Sequence, residues 1–329
     1  MKKRFTAALL TAVLVSVVLA GCKQNVGSPE DNAVVEEQEE TEEDEKEPEM
    51  VLGFSCSDLS NPFYTVLKEA VQSYLEEEGG RLIARDAESD AALQNRQVNE
   101  LIGQDVEAVF LCPVDWEEIT PALEALNEAG IPVINVDTEV KETALVKAFV
   151  GSDNHNAGYI CGEDLVSRLP EGGRIVIAED SGINSINDRI TGFEEAVRNK
   201  GFEVVKRIDA GSTDVGDALE NLLEEEKIDA VMCGNDLMAV QVLETLEKAD
   251  ERDVLVYSVD GSPYTKSALT EPGSPMTGIG AQSPITMGKT AAKTAIAILN
   301  RDRYEREKYV ETFFINSENV DMYGTDGWQ

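Results

Sequence analysis

The sequence predicts an α/β protein of two lobes, each a doubly wound parallel sheet with helices on both faces. Three observations lead there. From residue 51 onward, short β-rich apolar runs alternate with amphipathic stretches of helical length, and repeated βα units build parallel sheets covered on both sides. About ten such runs occur, more than one twisted sheet comfortably holds. The 279 residues from 51 to 329 are enough for one large or two modest domains.

The first run, 51–54, leads through Ser57 and Asn61-Pro62 into a helix over 63–78. Val66, Ala70, Val71, Tyr74 and Leu75 recur there every three to four residues, as one buried face requires. Asn61 followed by proline is well suited to cap that helix, and Ser262-Pro263 repeats the arrangement. Further strands are expected at 82–84, 108–111, 133–136 and 148–150, with a helix over 91–102. A second set follows, with strands at 175–178, 204–208, 230–232, 254–256 and 276–279 and helices at 186–199, 218–225 and 237–249. The stretches 151–154 and 278–284 mark crossings between lobes. A helix over 284–300 and a single strand over 309–315 remain after the second, so the chain crosses more than twice.

Ahead of these elements stands an export signal. Lys2, Lys3 and Arg4 precede an uncharged apolar run that is short for a membrane span and ends in small residues. Leu19-Ala20-Gly21-Cys22 resembles the lipobox of bacterial lipoproteins, which implies cleavage after residue 21 and a lipid anchor on Cys22. Between Glu30 and Glu49 lie twelve acids and one lysine, a composition that stays solvated and extended. Residues 22–50 are thus expected to be a tether between membrane and domain.

The signal contributes +3 and the tether −10 to the net charge of −36, leaving −29 on residues 51–329. A domain of that charge repels nucleic acid and anionic lipid. Cys56, Cys112, Cys161 and Cys233 show neither CxxC pairing nor zinc-like spacing, and free thiols are expected.

Open parallel sheets bind ligands outside the carboxyl ends of their strands. Those positions hold Ser57 and Asn61, Asp115, Asp137, Asn235 and Asp236, Asp260, and a loop with Asn184, Asn187 and Arg189. Several of these also suit helix caps. Phe63 and Tyr64 shift the balance, because a cap leaves the N2 and N3 positions unspecified and two rings at the sheet's mouth offer apolar faces. Rings beside carboxylate, amide and guanidinium groups suit a polyhydroxylated ligand, whose C–H faces pack on them while its hydroxyls hydrogen-bond.

Seven strings in order carry a family resemblance: "SNPFY" at 60–64, "IPVINVDT" at 131–138, "FVGSDNHNAG" at 149–158, "INDRITGF" at 186–193, "CGND" at 233–236, "YSVDG" at 257–261 and "GAQSP" at 280–284. The chain resembles the ribose-binding branch of periplasmic-type sugar-binding proteins, the solute receptors of ABC importers. The resemblance implies the type I periplasmic binding protein fold, with three crossings and hinge closure on ligand. It implies that Ser57, Asn61, Phe63, Tyr64 and Asp137 contact the sugar from one lobe, and Arg189, Asn235 and Asp260 from the other. Gln282 is expected at the hinge. The expected lobes are 51–152 with 283–308, and 153–282 with 309–329.

Departures from the ribose pattern point to a different sugar or a polyol. Thr138 stands where an arginine follows the aspartate, Cys112 replaces asparagine, Val259 replaces an aromatic, and Asp209-Ala210-Gly211-Ser212 lacks another. Cys112, Thr138 and Val259 are therefore expected to set specificity.

Nothing points to an enzyme: His155 is the sole histidine, and the HExxH, Gly-x-Ser-x-Gly, Walker and dinucleotide patterns are missing. No cofactor, metal or nucleic acid is expected. The lipobox and tether stand where a related transcription regulator would carry a helix-turn-helix. The expectation is a monomeric receptor on the outer face of the cell membrane, serving an ABC permease. A sensing role through a chemoreceptor or sensor kinase is the alternative.

Overall fold

A computed structural model describes residues 50–329. The signal, Cys22 and the acidic tether to residue 49 lie outside the described residues. No helix among those described is long and apolar enough to cross a membrane.

The first lobe opens with β1 (Met50–Cys56), α1 (Pro62–Glu77), β2 (Gly80–Asp86), α2 (Ala91–Ile102), β3 (Val109–Leu111), α3 (Thr120–Glu128), β4 (Val133–Val136) and β5 (Ala148–Ser152). The second holds α4 (Asn154–Arg168), β6 (Arg174–Glu179), α5 (Asn184–Val197), β7 (Glu203–Asp209), α6 (Val215–Leu223), β8 (Ala230–Cys233), α7 (Asp236–Lys248), β9 (Leu255–Asp260), α8 (Pro263–Ala268) and β10 (Met276–Ala281). Then α9 (Pro284–Leu299) returns to the first lobe against α1, followed by β11 (Glu307–Val310) and β12 (Phe313–Asn316).

Two six-stranded sheets result, ordered β11-β5-β4-β3-β1-β2 and β12-β10-β9-β8-β6-β7. All neighbours are parallel except β12, which runs antiparallel to β10. The expected α/β class with two doubly wound lobes is what the structure shows. Each sheet is buried on both sides because its strands are apolar on alternate residues of both faces. In β3, Phe110 joins the core under α1 and α9, while Val109 and Leu111 join the one under α2 and α3.

One expected element is corrected. The run 309–315 is not a single strand: β11 pairs with β5 in the first sheet and β12 with β10 in the second. The third passage between lobes therefore falls at Glu311-Thr312, and residues 309 and 310 pair within the first lobe. Strand propensity is continuous across this stretch, so only the pairing partners reveal the break. Thr312 is tied to the first passage, its hydroxyl accepting from Asn156 Nδ2 at 2.9 Å. Residues 327–329 also touch both lobes. Trp328 packs edge-on to Phe63, Lys266 donates to the Gly327 carbonyl, and Ser283 in the second passage donates to that of Gln329.

Candidate functional site

A cleft of about 940 Å³ lies between the carboxyl ends of the two sheets. On the first lobe, β1 runs into a loop whose Asn61 caps α1, its Oδ1 accepting from the Phe63 N–H at 3.0 Å. With Pro62 at the first helical position, the cap turns Phe63 and Tyr64 inward, where both rings are buried yet line the cleft. Phe63 meets Tyr64 edge-on at 5.5 Å and Trp328 at 5.7 Å. The Tyr64 hydroxyl donates to Asp137 Oδ2 at 3.0 Å.

Asp137 follows β4 with φ +68°, a conformation costly for most residues and more readily adopted by aspartate. It is 3% exposed. Its Oδ1 is a buried acceptor with no hydrogen-bond partner, in a residue that lines the cleft. Burial raises its carboxyl above the usual range, against the pull of Arg189 and the bonds from Tyr64 and Thr138.

On the second lobe, α5 presents Arg189 because α4 and α5 approach almost backbone to backbone. A Cβ at Gly158 would stand 1.7 Å from the Arg189 carbonyl oxygen, and one at Gly192 2.0 Å from that of His155. The arginine is fixed on three sides: Nε donates to Asn154 Oδ1 at 2.9 Å, Nη1 donates to the Gly234 carbonyl at 2.9 Å, and Nη1 faces Asp260 Oδ1 at 3.2 Å. Asp260 ends β9 at φ +130° and is buried. Burial pushes its carboxyl up to about 8, with Arg189 opposing and Asp236 and Asp137 adding to the rise. Asn235 caps α7 through Met238 N–H and lines the cleft beside it.

Ser57, Asn61, Phe63, Tyr64, Asp137, Arg189, Asn235 and Asp260 thus line one cavity. Gln282 stands one layer behind. It is fully buried in the second passage and reaches the cleft through Asp260 Oδ1, to which its Nε2 donates at 2.9 Å.

The three positions expected to set specificity sit elsewhere. Cys112 and Val259 are fully buried in the lobe cores, because strand alternation turns them away from the ligand space. Thr138 is 1% exposed and bridges the lobes, its hydroxyl lying 2.8 Å from Ser185 Oγ. Asp236 is likewise structural: its carboxylate accepts from Ser258, Gly261, Ser262 and Thr265 and pins the turn after β9. The four cysteines are free and buried.

Other lining residues were not expected from sequence as ligand contacts. Asp180, Ser181 and Gly182 after β6, and Asp209 to Ser212 after β7, form the second lobe's rim. After β6 the strand-end rule picks Asn184, Asn187 and Arg189 and passes over 180–182; extended to β7 it would have found 209–212. Trp328 carries no such signal, since only the tertiary fold brings it to Phe63. The lobes also touch at the mouth, where the Trp116 N–H donates to the Gly182 carbonyl at 3.2 Å.

The sequence itself matches the family model described as "Periplasmic binding protein domain" over residues 52–303. The chain belongs to this family. Among curated members, the ribose import binding protein RbsB of Bacillus subtilis is 30% identical over 261 residues, which cover 78% of this chain and 84% of that one. Two solved binding proteins share the fold. An ABC transporter solute-binding protein of Mycobacterium smegmatis with bound glycerol aligns at TM-score 0.77 and 28% identity, covering 83% of this chain and 96% of that one. One from Bacillus halodurans with bound myo-inositol aligns at 0.78 and 27%, covering 85% and 98%. Periplasmic binding proteins are substrate receptors of ABC transporters rather than enzymes, and the cleft has the form that role needs.

Proposed function

We propose that the chain is an exported receptor that closes on a monosaccharide or polyol and hands it to an ABC importer's permease. One observation carries the reading furthest. A single interlobe cavity gathers buried rings, Phe63 and Tyr64, on one side and a fixed Arg189–Asp260 pair with Asn235 on the other. Rings stack on the C–H faces of a sugar or cyclitol, and ionised groups take its hydroxyls in charge-assisted bonds. The sugar and polyol names attached to its relatives agree with that chemistry.

A ligand touching both walls binds the closed arrangement better than the open one and shifts the population toward it. The contacts between lobes, Trp116 to Gly182 at the mouth and the buried Thr138 to Ser185, would hold that closed state. The site residues act as a unit: Asp137 and Asp260 accept from hydroxyls, Arg189 and Asn235 donate, and Gln282 steadies Asp260.

Lipid on Cys22 holds the receptor at the outer face of the membrane, with the acidic stretch as a tether and the domain monomeric. The expected thioether-linked diacylglyceryl group on Cys22 is read directly by mass spectrometry of the membrane fraction, and Cys22→Ala should release the protein.

The functional test is a thermal-shift screen of monosaccharides and polyols, since a ligand of the folded state raises the melting temperature. Radiolabelled uptake of the hit, with and without the gene, follows. Uptake lost on deletion supports transport. Uptake intact with a lost behavioural or transcriptional response assigns the receptor to sensing, and a screen with no stabilising sugar or polyol overturns the reading.

A further inference from the structure

Eight carboxylates and one cation, Arg189, line the cleft. Among the described residues, Asp260 alone of the eight takes part in an ion pair, and its partner is that same Arg189. Six of the other seven accept from neutral donors. Asp115, for example, accepts from the Glu117 and Glu118 N–H groups, and Asp209 from Ser181 and Gly211. Their charge is hydrogen-bonded but not neutralised.

Two places feel this imbalance. The first is the floor of the cleft. Asp137 Oδ2 accepts from Tyr64 and, at 3.3 Å, from Thr138, both neutral, while Oδ1 has no partner although the residue is 3% exposed. A buried acceptor left unmade is destabilising, and more so when it is charged. The second is the mouth, where Asp115 of the first lobe approaches Gly182 in the second, close to Asp180 and Asp209. Closing the lobes brings like charges together, and Coulomb repulsion at such range opposes closure.

A hydroxyl group would give Asp137 Oδ1 a donor but leave both charge problems unchanged. An ammonium group gives the same donor and also offsets the negative field that resists closure. The ring faces of Phe63 and Tyr64 are compatible with it, since aromatic faces attract cations.

We propose that the solute is a polyol carrying a protonated amine, an amino sugar or aminocyclitol, with its ammonium group donating to Asp137 Oδ1. This rests on the sugar-or-polyol reading above and narrows it to a cationic class. Asp137 is then the residue that selects the amine, and the Arg189–Asp260 pair handles the hydroxyls.

The test is calorimetry on the full chain with pairs that differ by one hydroxyl-to-amine exchange. D-glucose with D-glucosamine, D-galactose with D-galactosamine, and myo-inositol with scyllo-inosamine are suitable probes. In at least one pair the amine should bind about tenfold to a hundredfold more tightly, as a charge-assisted bond to a buried carboxylate gives. Asp137→Asn keeps the size and one acceptor but removes the charge, and should bring the two members of that pair within about threefold.

Neutral members binding as tightly as or more tightly than their amines in every pair that binds overturn this inference and leave the sugar reading standing. An amine advantage that survives Asp137→Asn overturns the assignment to Asp137. Absence of binding by all six compounds overturns the inference, and the sugar reading falls with it only if the thermal-shift screen also finds no stabilising sugar or polyol.

Discussion

The two lobes repeat one strand order, β2-β1-β3-β4-β5-β11 against β7-β6-β8-β9-β10-β12, yet face the cleft with different chemistry. Each fourth strand ends in a buried aspartate with positive φ, Asp137 after β4 and Asp260 at the end of β9. The partner of each comes from the helix that follows its lobe's first strand. In the first lobe α1 offers a neutral hydroxyl, Tyr64, and in the second α5 offers a guanidinium, Arg189. A repeated backbone frame thus decides where a carboxylate stands, and one side chain on the neighbouring helix decides whether its charge is balanced.

The largest effect expected from that contrast lies in the partners themselves. Arg189→Ala leaves Asp260 buried without its counter-ion and should lower stability by about 3–5 kcal/mol in urea denaturation. Tyr64→Phe removes one neutral donor from Asp137 and should cost about 1 kcal/mol. Equal losses in the two variants would break the comparison.

Next in size is the helix crossing that sets Arg189 in place. Gly158→Ala drives a Cβ into the Arg189 carbonyl and should cost about 3 kcal/mol, the upper range for overpacking. The same variant should weaken ligand binding, because the guanidinium moves with its backbone. Wild-type affinity in a folded Gly158→Ala protein would show that the close approach does not position the arginine.

The pH dependence sharpens the comparison further. Burial raises the carboxyls of Asp260, Asp137, Asp236, Asp180, Asp188 and Glu139 above their unfolded values. The folded state therefore binds more protons than the unfolded one between about pH 4 and pH 8, and stability falls as pH rises through that window. Asp58 and Asp229 are shifted down and lose their contribution only at lower pH. Without ligand, the melting temperature should be higher at pH 5 than at pH 8 by roughly 3 °C or more. Asp137→Asn should flatten this slope, having no charge left to bury. A melting temperature that climbs toward pH 8 contradicts the balance of charges described for both lobes.

The smallest effect belongs to the bridge between lobes. Thr138→Val removes the hydroxyl contact to Ser185 and should destabilise the closed form by about 1 kcal/mol, seen as a severalfold weaker ligand affinity with little change in the melting of the unliganded protein. A change in which sugar is preferred, rather than in overall affinity, would restore Thr138 as a specificity position.

Much of this was legible in the residues. Alternating βα runs gave the class because periodicity survives any tertiary arrangement, and the strand-end rule found seven of the residues that line the cleft, with Phe63 and Tyr64 added as the rings beside them. Family strings added Gln282. The errors share one cause: position along the chain does not say which way a strand turns a side chain or with which sheet it pairs. Cys112 and Val259 lie at strand ends but face the cores, and residues 309–315 read as one strand although two sheets divide them.

The sequence by itself determined the two-lobe α/β class, the capped turn at Asn61-Pro62 and the company of aspartate, arginine and aromatic residues at the strand ends. These follow from local propensity and from hydrophobic spacing, which neighbours in sequence fix. Tertiary structure alone decided that Arg189 pairs with Asp260 and not with Asp137, that Trp328 backs Phe63, and that one carboxylate oxygen on the cleft floor is left without a donor. Those outcomes depend on distances between segments far apart in the chain, which only the packing of α4 on α5 and of the two lobes on each other sets.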